Sequence, residues 1–402
     1  MKKILYVSNC APYSSVKHAG GKTFNYYINS LSKCRKYDIR CISFCKEEEM
    51  NDINRDMPEN INMISIVTKG GIILNLKRIL FDFIGILFNK PKCEGSYYKF
   101  NKIYKELLLL KKQSFFPDII VLEWTNIVLL AEYISFLFPK ARLIASEHDV
   151  SFLGIERKIS TSKLFKNYKK KKLEQYKRLE ILSLDKCIAI LVQNEKDKNL
   201  LKASGINANK IFEISPYFHN MSYIERKKTN NNILFWGAMY RAENYEAAIW
   251  FIKNVMPLIK EEDCKFIVAG NKPPKKLKKL ASDKVIITGF IDDESPFFEQ
   301  SLCFVSPLLT GAGVKVKVIE ALSAGIPILT NKIGIEGIPA EDNISYFHCE
   351  KPDEYAECIN KLILGKYDID ALSENQKSLV SRHYNLEKSE IIYRRVIEND
   401  FD

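Results

Sequence analysis

Short apolar runs, near-continuous in Ile, Leu, Val and Phe, recur along the chain between longer stretches with a helical repeat. In the first half the runs are KKILYVS (2–8), IRCISF (39–44), DIIVLEW (118–124), RLIASE (142–147), IAILVQ (188–193) and KIFEIS (210–215). In the second they are ILFWGAM (233–239), KFIVAG (265–270), KVIITGF (284–290), LCFVSPL (302–308), IPILTN (326–331) and SYFHC (345–349). Apolar runs without strict alternation mark parallel strands covered on both faces. Helical patterns such as NYEAAIWFIKNVMPLIK and VKVIEALSAG lie between them, so each half reads as a βαβ series. Right-handed crossovers then make each half a doubly wound α/β sheet. The stretch 217–230 (YFHNMSYIERKKTN) is polar and aperiodic, which places a first domain at 1–217 and a second at 218–384. A last helical pattern, NLEKSEIIYRRVIEN, occupies 385–399. Ligands of such sheets sit at the carboxyl ends of the strands, and a cleft between two similar domains is the expected site.

Composition narrows the class. The chain has 402 residues, 46% hydrophobic and 27% charged, the balance of a globular protein of two or three domains. It is neither a disordered tail, a collagen-like repeat nor a disulfide-stapled scaffold. The formal net charge is +12, but it is local. Residues 157–178 hold ten Lys and Arg against Glu174 alone, and 271–280 hold five Lys and no acid. These two patches exceed the net charge of the whole chain, so the remainder is slightly acidic. Ten cysteines are scattered without a CxxC or a zinc-like spacing, as expected of buried thiols in a reducing cytoplasm. The opening MKKILYVSN has too short an apolar stretch for a signal peptide, so no export is expected.

The segment 308–331, LLTGAGVKVKVIEALSAGIPILTN, runs strand, glycine turn, helix, glycine stop, strand. Gly311 and Gly313 let the backbone approach a ligand, and the helix is expected to open near Val314 with its free amides facing the crevice. Lys315 and Lys317 oppose the helix dipole there, so an anion is expected to offset them. Glu320 lies about two turns in, where a carboxylate can accept from both hydroxyls of a ribose. Each residue alone is an ordinary surface group; together they point to a phosphate-bearing nucleotide.

This segment resembles the donor-binding motif of retaining GT-B glycosyltransferases, specifically glycosyltransferase family 4. Glu320-Ala321-Leu322-Ser323-Ala324-Gly325-Ile326-Pro327 matches the second half of the family's paired-glutamate motif. The position of the first glutamate holds Ala312, and GAGVKVKVIEA resembles instead a GGGxxxKxxEA variant. The backbone amides of Gly313 and Val314 would then take over some contacts to the donor sugar. LFWGAMYRAENYEAAIWFIKNVMPLI (234–259) resembles a second family segment. By that resemblance Gly237 lets the backbone pass under the donor diphosphate, Arg241 clamps it, Asn244 stands nearby, and Lys315 or Lys317 supplies the second charge. Gly20-Gly21-Lys22 resembles the family's first loop, which approaches the donor phosphates; it is not a Walker motif. His148, in Glu147-His148-Asp149 at a strand end, is implied to contact the donor sugar or the reaction centre.

The resemblance implies a GT-B fold, with an acceptor-binding first domain, a nucleotide-sugar-binding second domain and residues 385–402 packing back on the first. It implies retaining transfer of a hexose or related sugar from a nucleoside-diphosphate sugar to a hydroxyl acceptor, a bacterial surface glycan or lipid-linked sugar. His148, Arg241 and Lys317 are the expected catalytic residues. No DxD-like loop stands out, so no obligatory metal or cofactor is expected. A sugar-nucleotide epimerase or a non-catalytic GT-B scaffold subunit are the competing readings. The apolar helix pattern 71–89, with Asn75, Arg78, Asp82, Gly85 and Asn89 on one face, is too charged to span a membrane. With the basic, aromatic stretch 157–178 it suggests peripheral contact with an anionic membrane, the family's acceptors often being lipid-linked. No nucleic-acid motif accompanies the basic patches.

Overall fold

The computed structural model describes residues 1–68, 72–87, 92–93, 96–160 and 166–399. The chain forms two compact units, one from Met1–Ile214 with the segment beginning at Leu386, the other Ser215–Asn385.

The first unit holds seven strands: β1 (Lys2–Ser8), β2 (Tyr37–Lys46), β3 (Ile61–Thr68), β4 (Ile119–Glu123), β5 (Arg142–Ser146), β6 (Ala189–Val192) and β7 (Ile211–Glu213). Their order is β3-β2-β1-β4-β5-β6-β7, all neighbours parallel. The unbroken apolar runs follow from burial on both faces. Ile4 and Tyr6 of β1 pack with Phe24 and Tyr27 on one side, while Leu5 and Val7 pack with Ile42, Ile120 and Leu122 on the other. Strand β3 is an addition to the six runs expected in this half. Its sequence INMISIVT is interrupted by Asn62 and Ser65, and as an edge strand it pairs with β2 alone.

Helix Leu386–Glu398 belongs to this unit although it follows the second in sequence. Tyr393 is buried, stacks on Tyr27 with ring centroids 4.8 Å apart, and meets the Tyr6 hydroxyl at 2.9 Å. Arg394 donates to the Ser30 carbonyl at 3.0 Å.

The second unit holds six strands: β8 (Ile233–Trp236), β9 (Phe266–Ala269), β10 (Val285–Gly289), β11 (Cys303–Ser306), β12 (Ile328–Thr330) and β13 (Phe347–His348). The order is β10-β9-β8-β11-β12-β13, again parallel throughout. Residues 215–230 precede β8 without regular structure. In each sheet the chain winds outward in one direction, then in the other. The switch points lie between β1 and β4 in the first unit and between β8 and β11 in the second. Open α/β sheets bind ligands outside the carboxyl ends of the strands at such points.

Candidate active site

In the second unit, Gly237 follows β8 directly and the loop 307–315 follows β11, so both expected donor-binding segments leave the sheet at its switch point. Asn244, in helix Ala242–Asn254, turns back beneath Gly237. Its Nδ2 donates to the Ala238 carbonyl at 3.0 Å, and its Oδ1 accepts from Lys317 Nζ at 2.7 Å. The Lys317 ammonium also lies 4.5 Å from the Phe235 ring centroid, a cation–π distance. Burial, aided by the nearby charge of Lys315, pulls the Lys317 ammonium down to about 7. A lysine held half-neutral in this way is poised to gain charge when an anion arrives.

Arg241 occupies the N-cap position of helix Ala242–Asn254 and pairs with Glu243 at 2.5 Å, its side chain half exposed. Lys315 has a different task. Its Nζ donates to the carbonyls of Ala312 (3.1 Å) and Gly313 (2.5 Å), which ties the glycine turn to itself. The helix opens at Val316 rather than near Val314, with Lys315 as its N-cap residue. The Gly313 and Val314 amides therefore belong to the preceding turn, not to the helix end. Gly311 has φ +134, and Lys315 Cε would lie 3.4 Å from a Cβ built there. Glu320 is buried, and its Oε1 accepts from the His219 amide at 3.2 Å. The structure thus brings together Gly237, Asn244 and Lys317, and separately Gly311, Gly313 and Lys315, on adjoining strand ends.

Gly270 escaped the sequence reading. It ends the run KFIVAG after β9, with φ +146, and a Cβ there would lie 1.7 Å from the Gly237 carbonyl oxygen. Only glycine lets these two strand ends converge. Its signal was its place, a glycine one residue past a strand beside the one carrying Gly237.

In the first unit His148 follows β5, and both ring nitrogens are engaged. Nε2 meets Glu123 Oε2 at 3.0 Å, and Nδ1 meets Gln193 Nε2 at 2.9 Å. Gln193 Nε2 donates, so Nδ1 accepts and Nε2 carries the proton toward the carboxylate. The ring stacks on Trp124 at 4.2 Å and 10°. Trp124 follows β4 with φ +70, a conformation that costs a non-glycine residue about 1–3 kcal/mol and gathers at functional sites. Gly20 touches this stack, with Trp124 Cζ2 3.2 Å and His148 Nδ1 3.4 Å from a Cβ built there. The glycine pair lies not in a loop but in the first turn of helix Ala19–Ser32, whose N-cap His18 accepts from the Gly21 amide at 3.0 Å. Glu123, Trp124 and Gln193 were not singled out from sequence; each stands at or just past the carboxyl end of a strand beside β5.

Two buried acids of this unit serve the fold. Glu147 is buried and accepts from Thr125 Oγ1, and Glu180 accepts from the Ser151 and Phe152 amides at 3.0 and 3.1 Å. Burial pushes both carboxyls up, Glu180 to about 8. Among the described residues no group of three or more His, Cys, Asp or Glu is placed to hold a metal ion.

Comparison with known proteins follows the same division. Residues 230–364 match the family model described as glycosyl transferases group 1. A curated relative, an uncharacterized 44.6 kDa protein in the cps region of Klebsiella pneumoniae, is 28% identical over 184 residues. That match covers 43% of this chain and 44% of the relative, so it spans less than half the length of either. Among solved structures, Alr3699/HepE of Anabaena in complex with UDP superposes with a TM-score of 0.68 at 12% identity, over 99% of this chain and 100% of that one. Sucrose-phosphate synthase of Thermosynechococcus elongatus gives 0.69 at 12% identity, over 100% of both chains. At such identities the likeness establishes architecture. The chain has the GT-B fold, and its second unit carries the match to glycosyl transferases group 1.

Proposed function

We propose that the protein is a glycosyltransferase that moves a hexose or related sugar from a nucleoside-diphosphate sugar to a hydroxyl acceptor. The observation that carries this reading is the Lys317–Asn244 contact beneath Gly237, at the switch point of the sheet that matches the family. It gathers a half-neutral buried cation, a backbone that admits close approach and a glycine turn where a diphosphate would lie. The complexes of HepE with UDP and UDP-glucose make a uridine nucleotide the first donor to try.

Each residue then has a defined task. Arg241 exchanges Glu243 for the departing diphosphate, and its fork suits two phosphate oxygens at once. Lys317 places its ammonium against the same group and takes up a proton as it does so. Both stabilise charge that grows as the glycosidic bond breaks and the sugar becomes oxocarbenium-like. The turn at Gly311–Val314, held closed by Lys315, presents its backbone to the sugar and phosphates. Glu320 receives the ribose hydroxyls. In the first unit His148, fixed by Glu123 and Gln193 and backed by Trp124, forms a wall against the sugar. The first unit binds the acceptor, a growing surface glycan or lipid-linked sugar, and the anomeric configuration is retained.

Thermal unfolding with UDP, GDP, ADP, TDP and CMP tests the donor site. A nucleotide at 100-fold saturation of the native state adds about 2.7 kcal/mol of stability. One nucleotide should give that shift and lose it in the Lys317→Ala/Glu320→Ala variant. No shift with any nucleotide would refute the donor site. A shift without sugar transfer to any hydroxyl acceptor would make the protein a binding subunit rather than an enzyme.

A further inference from the structure

Helix Ile72–Leu87 of the first unit is anchored through Asp82 and Gly85, while Asn75 and Arg78 on the same side remain exposed. Asp82 Oδ1 accepts from Ser96 Oγ at 2.8 Å and from the Tyr98 amide at 3.0 Å, so it caps helix Tyr97–Lys112. Arg78 pairs with Asp82 at 3.8 Å. Gly85 is buried against Tyr97, where an added Cβ would lie 2.4 Å from Tyr97 Cβ. The outward side is apolar. At about 100° per residue, Leu76, Ile79, Leu80, Phe83, Ile84 and Leu87 fill an arc of about 140°. Each is between 37% and 64% exposed. A helix on the surface of a protein in water normally does the reverse, and a contiguous apolar face of this kind marks an interaction site.

Charge decides what covers it. The neighbouring helix Tyr97–Lys112 carries Lys99, Lys102, Lys105, Lys111 and Lys112 against Glu106 alone, and Asp82 is already committed to its cap. Lys102 Nζ lies 5.6 Å from the Tyr98 ring centroid, and that ring meets Phe81 of the helix edge-on at 5.9 Å. An apolar arc with cations beside it is the complement of a bilayer surface with anionic headgroups. A second copy fits poorly, since a two-fold contact sets the patch against itself and brings cations together. The helix has 16 residues, which at about 1.5 Å each reach about 24 Å, short of the roughly 30 Å apolar core of a bilayer. Among the described residues no helix is long and apolar enough to cross a membrane. We propose that helix Ile72–Leu87 lies in the plane of an anionic membrane surface and docks the first unit there through its outward apolar face. The proposal uses the first unit alone and stands apart from the donor chemistry of the second.

The test sediments the full chain with vesicles of phosphatidylcholine, and with vesicles containing about 30 mol% phosphatidylglycerol. The expected result is binding at least about tenfold tighter on the anionic vesicles. Leu80→Asp/Phe83→Asp should weaken it about tenfold or more, with the thermal midpoint unchanged. Lys102→Gln/Lys105→Gln should erode the anionic preference by about fivefold per residue. Wild-type protein that stays in solution with both vesicles overturns the proposal, as does an aspartate variant that binds like wild type. Equal binding to neutral and anionic vesicles removes the charge argument. A wild-type dimer that the aspartate variant dissolves, without vesicle binding, assigns the face to a second copy instead. Should the aspartate variant fail to fold, Phe83→Trp supplies the readout. Its emission must move to the blue on anionic vesicles, and an unchanged spectrum refutes contact through this face.

Discussion

Lys317 sets how the donor site responds to pH. In the free protein its ammonium is drawn down to about 7, first by burial and then by Lys315. A diphosphate against Nζ supplies the opposite charge and raises that value. Binding therefore takes up a proton, and affinity falls as pH rises above about 7. The protonated fraction of the free protein is about nine-tenths at pH 6 and about one-tenth at pH 8, so the dissociation constant should rise about tenfold across that interval. UDP-glucose is the suitable probe, because its diphosphate carries no terminal phosphate whose second ionisation, near pH 6, would add a slope of its own. Calorimetry in two buffers of different ionisation heat gives the proton count directly, about half a proton at pH 7.

Two variants separate the cause. Lys317→Arg keeps its charge at every pH, so its affinity should be flat from about pH 6 to about pH 8. Lys317→Met should bind weakly throughout. Without ligand the effect on stability has the opposite sense to that of a paired lysine. The unfolded chain holds this proton more tightly, so stability contributed by Lys317 rises with pH between about 7 and 10.5. Saturating ligand should remove that slope. Equal UDP-glucose affinity at the two pH values, with no proton uptake, would refute the assignment of Lys317 to the diphosphate.

Three further outcomes follow from the same geometry. Arg241→Ala should lower the turnover number by about 10²-fold or more, since it removes a charge-stabilising donor; full activity in steady-state assays would end that role. Gly270→Ala drives a Cβ to within 1.7 Å of the Gly237 carbonyl. It should cost at least about 2 kcal/mol in denaturant unfolding and abolish nucleotide shifts, whereas Gly289→Ala meets no atom within 4 Å and should cost only its positive-φ strain, about 1 kcal/mol. Tyr393→Phe leaves the buried Tyr6 hydroxyl without its partner at 2.9 Å. It should cost about 1–3 kcal/mol, while Tyr6→Phe/Tyr393→Phe should recover part of the loss; additive single effects in the double-mutant cycle would contradict that pairing.

What the sequence makes legible is burial on both sides of a sheet. The runs around Ile4–Val7 and Ile233–Trp236 are continuous because helices cover both faces, and the pattern reports that directly. Strand β3 escapes because Asn62 and Ser65 can stand at a sheet edge, where one side of the backbone has no partner. The site divides along similar lines. The glycine-rich turn is visible as composition, but the task of Lys315 is not. Whether its ammonium reaches outward or closes on the carbonyls of Ala312 and Gly313 depends on backbone dihedrals that a lysine in sequence does not encode. Likewise His148 is visible as a strand-end histidine. Its proton position is set by Glu123 and Gln193, which arrive from β4 and from just past β6.

Helix Ile72–Leu87 shows where the reading of a pattern ends. Periodicity separates an apolar side from the side of Asn75, Arg78, Asp82 and Gly85, and predicts a helix correctly. It cannot say which side turns inward, because that depends on what lies outside. In water the apolar side is the one to bury. Here the inward anchors are Asp82, spent on the cap of the next helix, and Gly85, the one residue small enough to let Tyr97 approach. Gly85→Ala therefore tests the orientation itself. If Asp82 and Gly85 are seated as described, the added methyl should loosen this helix, raising amide exchange across 75–87 and 96–100 together. If the apolar side were the buried one, position 85 would face solvent and alanine would stabilise the helix by roughly 1 kcal/mol.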